Sequence, residues 1–195
     1  LLSRGLGDVY KRQDNMFFES GDEIPTERFI QTRIEAEIAF CMKGSLAGEV
    51  TREEVLQATD YVFPSLEILD TRIFRKDENT GKMRTVFDTI SDNAANAGLI
   101  SGNQKNDPQK FDLRRVGSIV MRNNEVEETG LGAGVLNDPI TGIIWLVKRL
   151  SEYNQKISPG EIILSGSFIR PIEARKGDEF YADFGDFGFV ECKFN

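Results

Sequence analysis

Arg33-Ile34-Glu35-Ala36-Glu37-Ile38-Ala39-Phe40-Cys41-Met42 is the stretch on which the fold turns. Ile34, Ala36, Ile38 and Phe40 recur at every second position, a period that predicts a strand over 33–42 and not a helix. Successive strand side chains point to opposite faces, so Glu35 and Glu37 share the face away from those four. Two such residues lie roughly 6–7 Å apart at Cα, close enough for long side chains to converge on one cation. The same alternation also describes an amphipathic strand with a wet acidic face. The pattern alone leaves both readings open.

Outward from that strand the chain reads as short strands with few helices. Upstream, Met16-Phe17-Phe18 precedes a polar turn, Ser20-Gly21-Asp22-Glu23, and then Ile24-Pro25. Downstream, Thr51 and Glu54 form a capping-box signature for a helix reaching about Thr59. Residues 61–70 are apolar around Pro64 and read as extended. The charged segment 75–84, turning at Asn79-Thr80-Gly81, predicts an exposed excursion, and the small polar residues of 92–98 predict a loop or tight bend. Segments 116–122 and 125–129 flank Asn123-Asn124, a hairpin signal. Asp138-Pro139 caps a helix whose Ile140, Ile143, Ile144, Val147 and Leu150 form one apolar stripe, so it packs on a sheet. Strands and turns alternate to the end, separated at Ser158-Pro159-Gly160 and Lys176-Gly177-Asp178. The expected class is α+β and β-rich.

Glu67 lies in Pro64-Ser65-Leu66-Glu67-Ile68-Leu69-Asp70, among residues that favour the interior. A buried carboxylate needs a cation, a proton or an arginine, and Arg72 is the arginine at hand. Three glutamates together would form a hard, oxygen-rich site suited to Mg²⁺ or Mn²⁺. Two other motifs carry no such chemistry. Asp183-Phe184-Gly185 and Asp186-Phe187-Gly188 mimic a kinase metal motif without its glycine-rich loop or catalytic-loop signature, and a terminal hairpin explains them. Gly130-Leu131-Gly132-Ala133-Gly134 follows an acidic strand and is no dinucleotide fingerprint; it reads as a turn region.

The 195 residues, 39% hydrophobic with fourteen Phe, suffice for a real core. A formal charge of −8 argues against nucleic acid or an anionic membrane as partner. With no histidine in the chain, His-ligated zinc and His-dependent nucleophiles are excluded within these residues, so acid–base work falls to carboxylates, Lys, Tyr or water. Two cysteines make no disulfide framework, and a cytoplasmic setting is expected. At the front, Ser3-Arg4-Gly5-Leu6-Gly7-Asp8-Val9-Tyr10-Lys11-Arg12-Gln13 matches one reading frame of a transposon adapter used in sequencing libraries. We therefore expect residues 1–13 to be an adapter-derived artefact, and 14–195 to be one catalytic domain lacking its N-terminal part.

From these motifs a resemblance emerges. Glu35-Ala36-Glu37 followed by Pro64 to Asp70, then Phe87-Asp88-Thr89-Ile90-Ser91-Asp92-Asn93-Ala94-Ala95-Asn96-Ala97-Gly98, resembles the fumarylacetoacetase superfamily. The likeness is to its hydratase and decarboxylase branch. Ile162-Ile163-Leu164-Ser165-Gly166-Ser167-Phe168 and Lys176-Gly177-Asp178 are similar to that family's C-terminal strand and turn. The family's hydrolases use a His–Glu dyad and a Lys soon after the third ligand. This sequence has no His, and its segment from Asp88 to Gly98 has no Lys, which favours the branch named. That branch's own active-site Lys belongs upstream of Asp14.

The resemblance implies a mixed β-sandwich roll with Glu35, Glu37 and Glu67 as ligands of one Mg²⁺ or Mn²⁺. It implies a small 2-oxo acid chelated through its 2-oxo oxygen and C1 carboxylate. Ser165, Gly166 and Ser167 would line the substrate, and Asp92 and Asn93 would lie near the reacting carbons. For Asp92 a turn-forming role is the alternative. The implied reaction is hydration of 2-oxo-hept-4-ene-1,7-dioate, or a similar 2-oxo or 2-hydroxy dienoate, to the 4-hydroxy-2-oxo acid. The alternatives are decarboxylation of 2-oxo-3-hexenedioate, or a non-catalytic partner subunit. A homo-oligomer, and association with a decarboxylase, are expected by the same analogy.

Overall fold

The computed structural model describes residues 16–195; the adapter-like head at 1–13 and the start of the expected domain, Asp14 and Asn15, lie outside them. Two short strands, β1 (Phe17–Glu19) and β2 (Glu23–Ile24), precede β3 (Thr32–Met42), which is the strand expected over 33–42. Thr51 then caps α1 (Arg52–Ala58) with the full capping box, its side chain accepting from Glu54 N–H while Glu54 reaches back to Thr51 N–H. At once the chain enters β4 (Thr59–Asp70), extended through Pro64 as expected.

Next comes the excursion closed by Asp77, whose carboxylate accepts from the N–H groups of Asn79 and Thr80. Segment 75–84 is the exposed excursion expected: residues 76–83 are exposed, and only its two ends, Arg75 and Arg84, are half-buried. A second capping box, Thr85 with Asp88, starts α2 (Val86–Ser91), and β5 (Asn96–Ser101) follows. Neither of these was legible as an element. Of residues 92–98, expected to be a loop or tight bend, 93–95 form a tight left-handed bend, while 96–98 already belong to β5.

The hairpin of β6 (Gly117–Arg122) and β7 (Glu125–Leu131) turns on Asn123 and Asn124, with φ of 54° and 66°. Two left-handed residues in a row make a type I′ turn, and Asn tolerates that conformation best after Gly. Asp138 accepts from Ile140 N–H to cap α3 (Pro139–Ser151). The chain finishes with β8 (Ile162–Leu164), β9 (Ile172–Glu173), β10 (Glu179–Asp183) and β11 (Phe189–Phe194), the last two forming the terminal hairpin around both Asp-Phe-Gly triplets.

The strands form two sheets. One runs β1-β5-β4-β3-β8, with β9 also pairing β3; the other runs β2-β11-β10-β6-β7. Between them lies one core, to which β3 gives Ile34, Ala36, Ile38 and Phe40, β4 gives Leu66 and Ile68, and the second sheet gives Phe180, Val190, Cys192 and Phe194. The stripe of α3 joins this core through the fully buried Ile140, Ile143 and Val147. Burying each large side chain contributes about 1.5–3 kcal/mol, so this layer holds the roll together. The opposite face of the first sheet carries a smaller apolar cluster of Ala39, Phe63, Leu99 and Leu164. Because that face is also covered, Glu37 is fully buried, and the wet acidic face allowed by the sequence is not what forms. Among the described residues no helix is long and apolar enough to cross a membrane.

Candidate metal centre

The antiparallel register of β3 and β4 places Glu35 directly opposite Glu67, and Glu37 opposite Ser65. Directly paired residues share a face, so all three glutamates project to the side away from the main core. One carboxylate oxygen from each lies within 4.8 Å of the others. Glu37 and Glu67 have no exposed surface, and Glu35 is half-buried. Each buried carboxylate receives a neutral N–H from a separate element. Asn96 Nδ2 at the head of β5 donates to Glu67 Oε1 at 2.7 Å, and Gly166 N donates to Glu37 Oε2 at 2.8 Å. Ser65 Oγ donates to the Glu37 carbonyl at 3.0 Å. These bonds fix rotamers without cancelling charge. Three carboxylates gathered together, two of them out of water, form an all-oxygen donor set whose chemistry fits a hard divalent cation.

A second set of bonds extends from Glu67. Arg72, at the end of β4, sends Nη2 to the Asn96 carbonyl at 3.1 Å, and Nη1 to the Asp92 carbonyl and carboxylate at 3.3 and 3.5 Å. The Arg72 backbone N–H donates to Asp92 Oδ2 at 3.0 Å. The arginine considered from sequence as a partner for Glu67 is thus directed onto Asp92 and Asn96. Asp92 is buried; Asn93, Ala94 and Ala95 then adopt φ of 57°, 51° and 63°. A left-handed backbone costs about 1–2 kcal/mol at each non-glycine residue, so the surroundings must hold this bend in place. The bend delivers Asn96 to Glu67. Asn93 stays within the turn, its Nδ2 donating to the Asn96 carbonyl at 3.4 Å.

On the other flank, the segment after β8 lies against β3. Ser165 N–H donates to the Ile38 carbonyl at 3.1 Å, next to the Gly166 bond to Glu37. Gly166 has φ of +118°, a conformation side-chain-bearing residues avoid. The Ser165 hydroxyl is buried and has no hydrogen-bond partner among the described residues. The Ser167 hydroxyl accepts from Ile169 N–H at 3.2 Å and faces two carbonyls, Ile169 at 2.9 Å in its own loop and Ala36 on β3 at 3.5 Å. So Ser165 and Gly166 adjoin the carboxylates, and the Ser167 hydroxyl ties its turn to β3 between Glu35 and Glu37. A cavity of about 830 Å³ beside β5 and β8 includes Asn96 in its wall but none of the three glutamates. The carboxylates, and not this cavity, carry the donor set that fits a cation.

Asn96 and Ser65 had no assigned role from sequence. A lone polar residue leading an apolar strand, as Asn96 does, was the available signal.

Known proteins resemble this chain in sequence and in fold. No protein-family model matches the chain. It is 50% identical over 182 residues to the 2-oxo-hept-4-ene-1,7-dioate hydratase of Escherichia coli, covering 93% of this chain and 68% of that protein. Its structure superimposes with a TM-score of 0.85 on 4-oxalocrotonate decarboxylase from Pseudomonas putida G7, complexed with magnesium and adipate. That match has 30% identity over 93% of this chain and 67% of the other. Fumarylacetoacetate hydrolase from Exiguobacterium antarcticum shares the fold at a TM-score of 0.67 and 15% identity, over 98% of this chain and 69% of that one. The chain spans about two thirds of the length of each. It belongs to the fumarylacetoacetase superfamily, in the branch that holds the 2-oxo-hept-4-ene-1,7-dioate hydratases.

Proposed function

We propose that the chain is the metal-binding, catalytic part of a hydro-lyase that adds water to 2-oxo-hept-4-ene-1,7-dioate, or a similar 2-oxo or 2-hydroxy dienoate, giving the 4-hydroxy-2-oxo acid. The reading takes residues 14–195 as its domain. The observation that carries it is the convergence of Glu35, Glu37 and Glu67 to within 4.8 Å. These are the residues that would hold Mg²⁺ or Mn²⁺, and such an ion supplies Lewis-acid stabilisation for negative charge on the substrate's 2-oxo oxygen.

The chain's own groups do the rest. Asn96 and the Gly166 N–H keep two of the carboxylates in position, so the site needs little reorganisation as charge develops. The buried Ser165 hydroxyl is a donor for a substrate oxygen, and the backbone at Gly166 allows close approach beside it. Gly166 and Ser167 complete the substrate wall in this reading. Asp92, oriented by Arg72, and Asn93 are assigned to the reacting carbons, where an acceptor and an amide orient the incoming water.

A homo-oligomer, association with a decarboxylase of related acids and a cytoplasmic setting belong to the same reading, in keeping with two free cysteines. The solution mass checks the first of these. For the activity, the full-length enzyme that contains this domain is incubated with Mg²⁺ and the dienoate, and products are followed by mass spectrometry. A product heavier by one water supports the hydratase. Release of CO₂ assigns decarboxylation instead, and an unchanged substrate overturns both.

A further inference from the structure

Arg75 and Arg84 meet beyond the end of β4, and Arg33 on β3 is near enough for its charge to reach Arg75. Arg33 lies on β3 two residues before Glu35 and on the same face, roughly 6–7 Å from it at Cα. The excursion after β4 folds back to this point. Arg75 Nη2 and Arg84 Nη1 both donate to the hydroxyl of the buried Thr71, at 3.5 and 3.4 Å, so two guanidiniums meet on one oxygen. The Arg84 N–H bond to the Arg75 carbonyl, 3.0 Å, closes the base of the excursion. Burial, reinforced by the charges of Arg33 and Arg84, holds the Arg75 guanidinium below its ordinary value. Its Nε is buried with no hydrogen-bond partner among the described residues.

Apart from Glu35, which belongs to the carboxylate cluster, the acids nearby are engaged elsewhere. Glu173 pairs with Arg33 in the β3–β9 register and its charge reaches Arg75, but its carboxylate is bonded to Arg175 at 3.0 Å. Asp88, whose charge reaches Arg84, is held in the Thr85 cap by bonds of 2.6 and 2.8 Å. The salt bridges among the described residues do not include Arg33, Arg75 or Arg84. Three like charges brought together by the fold in a half-buried place repel one another, and an anion relieves them. The guanidinium fork matches a carboxylate in particular.

We propose that Arg33, Arg75 and Arg84 bind the carboxylate at the far end of the substrate, so that this chain selects 2-oxo dioates over 2-oxo monoacids. The near end of that substrate is taken from the hydratase reading above. Its 2-oxo group belongs at the three glutamates, and the face shared by Glu35 and Arg33 gives the direction of the carbon chain.

The test is equilibrium binding of two saturated, unreactive acids, 2-oxoheptanedioate and 2-oxoheptanoate, to the Mn²⁺-loaded protein by calorimetry. They share the chelating end and differ only in the distal carboxylate. The parent is expected to prefer the dioate by about tenfold or more, the scale of a charge-assisted bond. Arg75→Gln and Arg84→Gln should each bring that ratio towards one, and Arg84→Lys should keep part of it. Reading the ratio within each variant cancels any general loss from weaker folding or metal binding. Equal binding of both acids by the parent, or an unchanged ratio in the variants, overturns the proposal. Binding of neither acid overturns it together with the metal-site reading. Failure of the hydratase reading alone shows differently, as a retained ratio with no hydrated product from the dienoate.

Discussion

Glu35 and Glu67 stand directly opposite each other across the β3–β4 ladder, and both contribute an oxygen to the 4.8 Å cluster completed by Glu37. Like charges in directly opposed positions destabilise a sheet. In chelator, Glu67→Gln is therefore expected to leave stability within about 1 kcal/mol of the parent, or to raise it. Mg²⁺ or Mn²⁺ at a hundred times its Kd should stabilise the parent by about 2.7 kcal/mol and the variant far less. Thermal melts with and without each cation check this, and a parent whose Tm ignores both cations would sink the metal site.

For Asp92 the two alternative roles, near the reacting carbons or in the turn, separate by measurement. Asp92→Ala removes the acceptor for the Arg72 N–H and should cost about 1–2 kcal/mol in urea unfolding. The ion pair itself adds little, because the Arg72 side chain is 43% exposed. Asp92→Asn keeps an acceptor and should cost less. If Asp92 orients water, both variants should lower kcat by about a hundredfold, beyond what their stability explains. A kcat that follows stability alone would leave Asp92 a turn residue.

Gly130 and Gly132 are fixed by close approach, not by backbone angle. A Cβ at Gly130 would lie 2.0 Å from the Phe168 carbonyl oxygen, and one at Gly132 would lie 2.0 Å from that of Leu113. Alanine at either position should destabilise by about 2–4 kcal/mol, since backbone must move. Gly134→Ala, whose Cβ would meet Phe168 Cβ at 3.5 Å, should be tolerated within about 1 kcal/mol. Denaturant midpoints of the three variants test the contrast.

Burial pushes the Cys192 thiol up to about 12, against an ordinary value of 9.0. The folded state therefore holds this proton more tightly than the unfolded state. Its contribution to stability is full below about pH 9 and is lost as pH rises towards 12. One thiol, the half-buried Cys41, should react with a disulfide reagent in the native protein, and two after unfolding. Alkaline unfolding should set in later for Cys192→Ala once its lower starting stability is subtracted; an identical pH profile would remove this cause.

Much of the fold was legible because its signals are local. The period of two in 33–42, the Thr51–Glu54 box, the Asn123-Asn124 turn and the Asp138 cap each depend on residues two to four apart. The α2 helix escaped notice because none of its residues is buried, so no apolar stripe announces it. The β5 strand escaped because its opening residues, Asn96, Ala97 and Gly98, are small or polar and become a strand only through pairing with β4.

For the site, the sequence by itself determined the donor chemistry: two glutamates on one strand face, and a third among apolar neighbours. Tertiary structure alone decided that Glu67 faces Glu35, that Glu37 loses all contact with water, and that Arg72 is directed onto Asp92 and Asn96. It also decided that Arg75 and Arg84, from a segment read as exposed, meet on Thr71. The reason is physical. Side-chain period is written along the chain, but register, burial and charge balance are set by partners that only folding brings alongside.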